Sequence, residues 1–141
     1  MTDSFSNKFL MKWLPAALMM LAIFLFSAGS SMEVGDALVQ QVVNKGGHIV
    51  GYGMLALSFW RGFEFSGNRR WLAWILAVLY AVTDEFHQSF VPGRFPSMLD
   101  VLIYDNLGAL IAMGLAGIFI KQRQPASQGL VADDEVLARP G

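Results

Sequence analysis

Four apolar stretches divide this chain, and they constrain its fold more than any other feature. Short segments between the stretches hold nearly all the charge, and 55% of all residues are hydrophobic, which is more than a soluble domain usually contains. A helix needs about 20 predominantly apolar residues to cross a bilayer, and each stretch has roughly that length. The pattern predicts an all-α bundle of four transmembrane helices, at about Phe9–Ala28, Ala37–Trp60, Trp71–His87 and Met98–Ile120.

The two ends of the chain need separate interpretation. Basic residues, an apolar run and the small residues at 28–30 are also the parts of a secretory signal. Because three apolar stretches follow, the chain stays in the membrane under either interpretation. We therefore expect one transmembrane domain over residues 1–123. Residues 124–141 contain prolines and an acidic cluster but no sustained apolar face, which predicts a disordered cytoplasmic tail.

The distribution of Lys and Arg predicts the orientation of the bundle. Short cytoplasmic segments are enriched in these residues, whereas external loops are not. The side that contains the first and third loops has only Lys45 and Arg94, and an even number of spans puts the remaining segments on the opposite side. We therefore expect both termini in the cytoplasm. The basic residues on that side are Lys8, Lys12, Arg61, Arg69, Arg70, Lys121 and Arg123.

Polar residues gather at the end of the bundle that this topology turns outward. Two sets of them have the three- and four-residue spacings that place side chains along one face of a helix. The other polar groups lie beside the second set, in the turn after it and at the start of the fourth stretch. The two sets are Lys45, His48, Tyr52 and Tyr80, Asp84, His87, and the other groups are Glu85, Gln88, Arg94 and Asp100.

An ionised side chain in hydrocarbon costs several kcal/mol, so a membrane protein that keeps one usually pairs it or uses it for function. This cost favours a functional interpretation of the polar residues. His48 or His87 would be a general acid or base, oriented by the carboxylate of Asp84 or Glu85. These four residues are the catalytic candidates.

The remaining polar groups suit substrate binding. Lys45 and Arg94 would bind a phosphate or carboxylate. Tyr52, Gln88 and Asp100 complete the candidate substrate-binding set.

Two other interpretations need no ligand. The polar groups would be wetted by lipid headgroups and water, or Arg94 would form an ion pair with Asp84, Glu85 or Asp100 and hold the outer loop in place. The small pairs Gly47/Gly51 and Gly108/Ala112 are interpreted as helix packing within the bundle rather than dimerisation.

Several chemistries have no support in the sequence. Cysteine is absent, which excludes thiol catalysis and thiolate metal sites, and no serine elbow of the Gly-x-Ser-x-Gly type occurs. A net charge of −1 gives no reason to expect nucleic acid. A metal site has imidazole and carboxylate ligands to draw on but no diagnostic spacing, so no metal and no other cofactor is predicted. The ligand set considered is His48, Glu85, His87 and Asp100.

Three successive segments, between about Phe9 and Lys121, resemble the motifs of VanZ-like membrane proteins. The resemblance implies a four-helix, multi-pass protein of the bacterial inner membrane and cell envelope. The founding member of that family is associated with low-level resistance to the glycopeptide teicoplanin, but the resemblance supplies no reaction. The segments are Lys45-Gly-Gly-His48-Ile-Val-Gly-Tyr52, Tyr80-Ala-Val-Thr-Asp84-Glu85-Phe-His87-Gln88-Ser-Phe90-Val-Pro92-Gly93-Arg94 and Ser97-Met-Leu-Asp100-Val.

One spacing departs from the family pattern. VanZ-like proteins usually have Asn or Asp four residues after the aspartate that matches Asp100, and Gly three residues later. Here Asp105 follows Asp100 by five residues and precedes Gly108 by three. Either one residue is inserted near Tyr104, or Asp100 lies in the loop and the helix begins after it.

Two functions from different classes fit these observations. The chain is a membrane enzyme that acts on an amphiphilic envelope molecule, such as a membrane lipid or a lipid-linked precursor. Alternatively, it is a non-catalytic scaffold or binding protein that limits the access of lipophilic glycopeptides to the surface. A transporter is a weaker hypothesis, because four short spans would carry a solute only as an oligomer, and the sequence does not predict an oligomeric state.

Overall fold

The structure, a computed structural model, describes residues 2–29, 36–92, 94 and 96–122, and every regular element in these ranges is helical. The proposed tail at 124–141 lies outside the described residues. Four long helices follow the predicted stretches closely, which confirms the all-α expectation. They are α1 (Thr2–Ala28), α2 (Ala37–Gly62), α3 (Arg70–Gln88, after a 3₁₀ turn at Gly67–Arg69) and α4, which joins the segments Met98–Asp100, Val101–Asp105 and Asn106–Gln122.

Helix α2 is the central element, because it packs against α1, α3 and α4. Its buried face carries large side chains at helical spacing, and α2 supplies more of the apolar core than any other helix. The buried residues of this face are Tyr52, Leu55, Ala56, Phe59 and Trp60. These residues all belong to the C-terminal half of α2, whereas the described side chains of its N-terminal half, which carries the polar residues, are exposed or half-buried.

Helix α3 presents a narrow face of small residues to the core. Ala73, Ala77 and Ala81 recur every four residues and are fully buried, so α3 approaches its neighbours closely. The same face continues through Asp84 and Gln88, which are three and seven residues beyond Ala81. The periodicity that buries the alanines therefore carries these two polar side chains into the interior.

The outside of the bundle is apolar. On α1, five leucines are between 46% and 61% exposed, and α4 has a similar apolar surface. Asn7–Ala28 and Met98–Lys121 are each long and apolar enough to cross a membrane. Continuous apolar surface on this scale needs a cover of lipid or protein. The leucines of α1 are Leu10, Leu14, Leu18, Leu21 and Leu25.

Helices α2 and α4 are in direct backbone contact. A Cβ atom on Gly108 would overlap the carbonyl oxygen of Ile49 and lie 2.8 Å from its carbonyl carbon, and one on Gly53 would lie 3.0 Å from the carbonyl oxygen of Gly108. Small residues allow such close approach between helices in lipid. The prediction of packing within the bundle holds for Gly108 but not for Gly47, where an added Cβ would meet nothing within 4 Å.

The end of the bundle that contains the α2–α3 turn is basic. Arg61 donates hydrogen bonds to the backbone carbonyls of Met11 and Lys12, and the Lys12 ammonium pairs with Glu64. This ammonium lowers the pKa of the Glu64 carboxyl in the turn. Arg70 stacks over the Trp60 ring, 5.2 Å from its centroid. These contacts hold α1, α2 and α3 together at the end that contains the α2–α3 turn.

Replacement of Gly108 by alanine will destabilise the bundle, because the methyl group has no space beside the backbone of Ile49. We expect a loss of about 1–3 kcal/mol, the usual cost of overpacking a core. Thermal melting of the purified protein in detergent measures it. Gly114→Ala is the matched control, since the same methyl group on the same helix meets nothing within 4 Å. Equal melting temperatures for the two variants would contradict the close α2–α4 contact.

Candidate functional site

The polar residues lie together at the other end of the bundle, where α1 and α3 end and α2 and α4 begin. Five polar side chains there are almost completely buried, between 1% and 6% exposed. Burial of polar groups at this depth requires hydrogen-bond partners. The five residues are Ser27, Asp84, Glu85, Gln88 and Asp105.

Asp84 is the centre of a hydrogen-bond network. Its Oδ2 atom accepts from Ser27 Oγ at 2.7 Å, from Tyr52 OH at 3.0 Å and from Gln88 Nε2 at 2.9 Å. These donors belong to α1, α2 and α3. The second oxygen, Oδ1, is buried and has no hydrogen-bond partner among the described residues. Oδ2 of Asp84 therefore joins three helices, whereas Oδ1 takes no part in the network.

His48 forms a pair with Asp105 beside this network. Nδ1 of His48 lies 2.8 Å from Oδ1 of Asp105, which is 1% exposed. The ring of Tyr52 stacks against His48 with centroids 5.9 Å apart, so the pair and the Asp84 network are in contact. A carboxylate on Nδ1 orients the imidazole and directs proton transfer to Nε2. The arrangement suits a general base or acid.

A π-helical turn at Val101–Asp105 places Asp105 in this pair. Such a turn is wider than the α-helix by one residue and occurs frequently at functional sites. The preceding segment, Met98–Asp100, is already helical, so the helix does not begin after Asp100. The π turn spans the interval between Asp100 and Asp105, so its extra residue per turn agrees with the five-residue spacing between these two residues.

Lys45 and Glu85 both have partners within the bundle. The Lys45 ammonium donates to Tyr104 OH at 3.0 Å and lies 4.7 Å from the centroid of that ring. Oε2 of Glu85 accepts from the backbone N–H of Ser97 at 2.7 Å, and Ser97 immediately precedes α4. A carboxylate at this position stabilises the start of a helix. Glu85 therefore joins α3 to the beginning of α4.

Arg94 binds the end of α1 rather than a carboxylate. Its Nε atom donates to the carbonyl oxygen of Gly29 at 3.2 Å, and one terminal nitrogen donates to that of Phe26 at 2.7 Å. Basic side chains commonly satisfy the last carbonyls of a helix in this way. Among the described residues the ion pairs are Lys12–Glu64 and His48–Asp105, so the expected pair between Arg94 and a carboxylate is not observed there.

The second histidine lies apart from this pair. His87 stacks on Phe24 of α1, with ring centroids 4.5 Å apart, and its Nε2 is buried without a hydrogen-bond partner among the described residues. Asp100 is half-buried at the start of α4. Across the described part of the chain, no three His, Asp or Glu side chains are arranged to hold a metal ion.

A groove of about 650 Å³ lies between α1 and α2 beside the network. Its walls are largely apolar, with Ile23 and Phe26 among the residues from α1 and Val43 and Val50 among those from α2. A cavity that combines apolar walls with a few polar groups is typical of a ligand site. The candidate residues that line it are His48, Tyr52, Asp84, Gln88 and Arg94.

The sequence did not mark two members of this site. Ser27 looks like the small residue that ends an apolar span, and only the structure shows that it donates to Asp84. Tyr104, the partner of Lys45, has no motif around it. Asp105 had a signal, namely its irregular spacing from Asp100, but that signal left its role undecided.

Comparison with known families decides the assignment. A family model described as VanZ/LLP1 matches residues 3–120, from the first turn of α1 almost to the end of α4. This chain belongs to the VanZ/LLP1 family. Comparisons with curated proteins and with solved structures give no match. Membership in the VanZ/LLP1 family, together with two helices that are able to cross a membrane, makes the chain a membrane protein.

Asp84 should stabilise this VanZ/LLP1 bundle more than any single donor to it. Asp84→Leu leaves the buried hydroxyls of Ser27 and Tyr52 without an acceptor, and Gln88 keeps only its 3.3 Å bond to Ser27 Oγ, so we expect a loss of about 2–3 kcal/mol or more. Tyr52→Phe removes one donor and should cost only about 0.6–1.7 kcal/mol, as for other hydrogen bonds between membrane helices.

The melting temperatures of these variants in detergent rank their stabilities. Thr83→Val is the control, because it removes an exposed hydroxyl that bonds only to the Tyr80 carbonyl of its own helix. Stability of Asp84→Leu equal to that of Thr83→Val would show that the network does not hold the helices.

Proposed function

We propose that this chain is a four-span protein of a bacterial cytoplasmic membrane, with both termini in the cytoplasm and its polar cluster facing outward. The basic residues around Arg61 and Arg70 support this orientation, since cytoplasmic segments are enriched in Lys and Arg. The polar residues lie at the opposite end. The exposed leucines along α1 supply an apolar surface that suits lipid.

We also propose that the groove between α1 and α2 binds an amphiphilic envelope molecule. The observation that carries this proposal is the composition of the groove, whose apolar walls lead to the buried carboxylate of Asp84 and to His48. A purely polar ligand would leave the walls uncovered, and a hydrocarbon would leave the polar groups without a partner. A molecule with an apolar chain and a polar head matches both parts.

The ligand class is a membrane lipid or a lipid-linked envelope precursor. Both carry long apolar chains, and both are present at the outer surface of a cytoplasmic membrane. A link to glycopeptide resistance belongs to this proposal, because a protein that binds such a molecule at this surface would limit the access of lipophilic glycopeptides to it.

Chemistry on the bound molecule is a second candidate, and the His48–Asp105 pair favours it. His48 lines the groove, and Asp105 holds its Nδ1 at 2.8 Å. Nε2 makes no hydrogen bond to the described residues, so this nitrogen would exchange a proton with the head group of a ligand. Asp84 has the structural role in this scheme, because its Oδ2 is committed to three helices.

The orientation has a direct test. A reporter fused after Ser66, in the turn between α2 and α3, should report a cytoplasmic location, and one fused after Pro92 should report an external one. Reporters active only in one compartment, such as alkaline phosphatase and a fluorescent protein, measure this in cells. External exposure after Ser66 would invert the bundle and place the polar cluster in the cytoplasm.

The groove has an equally direct test. Gly47 lines it, and an added Cβ there meets nothing within 4 Å, so Gly47→Phe should fill the groove without disturbing the backbone. A phospholipid with a photoreactive acyl chain should label the groove residues of the wild type, such as Ile23, and label them at most weakly in this variant. Peptide mass spectrometry locates the labelled residues.

Gly46→Phe is the matched control. The neighbouring glycine is equally open but does not line the groove, so labelling there should equal that of the wild type. Equal labelling of Gly47→Phe and Gly46→Phe would contradict the site. Mass analysis of the recovered ligand separates the two candidate functions, because binding returns it unchanged, and conversion that is lost in His48→Asn indicates catalysis.

A further inference from the structure

We propose that the head group taken by this groove is cationic, a primary ammonium, and that Oδ1 of Asp84 binds it. This inference rests on the proposed function, because it names the class of amphiphile for the same site. Three observations support it. The basic side chains nearby already have hydrogen-bond partners, Oδ1 of Asp84 has none among the described residues, and the walls of the groove are apolar.

The cations at this end of the bundle are already engaged. Two nitrogens of Arg94 donate hydrogen bonds to backbone carbonyls at the end of α1, and the Lys45 ammonium donates a hydrogen bond to Tyr104 OH. His48 is paired with Asp105. A phosphate in the groove would therefore compete with these contacts rather than complete an empty cationic site. The sequence predicts that Lys45 and Arg94 bind an anionic group of the ligand, but their contacts favour a role in holding the helices together.

The carboxylates at the same end are in excess over those cations. Asp84 and Glu85 are both buried, and neither has a basic side chain as an ion-pair partner among the described residues. Every donor to Asp84 is a neutral group, a hydroxyl or an amide. Burial of a carboxylate without a paired cation is costly, so a cationic ligand would be stabilised here and an anionic one repelled.

Asp84 is the member of this excess that meets the groove. It lines the groove while Glu85 does not, and its Oδ1 atom has no hydrogen-bond partner among the described residues. An ammonium has three donors and no acceptor, which suits an unused carboxylate oxygen. A quaternary ammonium lacks N–H donors, so the site should prefer a primary amine to a choline group.

The apolar walls restrict the source of that amine. Ile23, Phe26 and Val50 would remain exposed beside a small soluble amine, whereas an acyl or prenyl chain would cover them. An amphiphile that joins a primary amine to apolar chains matches both parts of the groove. Phospholipids with an ethanolamine head carry both, and the phosphate between them is shared by the choline and glycerol phospholipids with which they are compared.

The test compares three photoreactive phospholipids with the same acyl chains and ethanolamine, choline or glycerol heads, in the full chain reconstituted in nanodiscs. Groove labelling by the ethanolamine lipid should exceed labelling by the other two about tenfold, as expected for one hydrogen bond to a charged group. An excess of free ethanolamine should reduce it little, because the soluble amine leaves the walls uncovered.

Two variants assign the effect to one carboxylate. Asp84→Asn keeps an acceptor for the network but removes the charge, so labelling should continue and the preference for ethanolamine should disappear. Glu85→Gln neutralises the adjacent buried carboxylate outside the groove and should keep the preference. Melting curves test whether both variants fold. If Asp84→Asn does not fold, the preference of the wild type for the ethanolamine lipid over the other two tests the cationic head group.

The outcomes separate this inference from the function it rests on. Equal labelling by the three lipids, or a preference for the anionic glycerol head, overturns the cationic head group and leaves the amphiphile groove intact. Full competition by free ethanolamine overturns the lipid source. A preference that survives Asp84→Asn overturns the role of Asp84. Groove labelling by none of the three lipids overturns the proposed function itself.

Discussion

One oxygen atom, Oδ2 of Asp84, accepts hydrogen bonds from three side chains on three different helices, and much of the bundle depends on it. A buried polar group without a partner is expensive, so the buried side chains of Ser27, Tyr52 and Gln88 depend on this acceptor, with one further bond from Gln88 to Ser27. The network therefore fixes α1, α2 and α3 relative to one another at the polar end of the bundle. The groove lies beside this junction, and Asp84 belongs to both.

Helix α1 is held by polar contacts as well as by packing. Only 11% of its apolar span is buried, although Ala16 belongs to the core and Trp13, Met20 and Ile23 pack against it. Side chains of the other helices also bind its backbone, with Arg61 near one end, Tyr80 at the Met20 carbonyl at 2.6 Å and Arg94 at the other end. The groove lies between this helix and α2.

The contact between α2 and α4 has the opposite character. Gly108 lies directly against the backbone of Ile49, and the two polar partners, His48 and Asp105, lie next to these residues in the chain. Their 2.8 Å contact therefore depends on the close approach that glycine allows. The π turn before Gly108 sets the rotation of Asp105, so the glycine and the extra residue together determine the geometry of the pair.

The sequence by itself determined the helices, because hydrophobic periodicity and span length depend only on local order, and it gathered Lys45, His48, Asp84 and Glu85 at one end by their helical spacing. It did not determine their partners. Which atom receives a hydrogen bond depends on the rotation and separation of whole helices, so the roles of Ser27 and Arg94 and the separation of His87 from His48 appear only in the tertiary structure. The same holds for Asp105. Its five-residue spacing from Asp100 left its role undecided in the sequence, and the structure shows that a π turn lies between the two residues. The polar end of the bundle that the residue spacing predicted is thus a carboxylate network beside an apolar groove, since packing of α1 against α2 created a cavity that no residue order encodes.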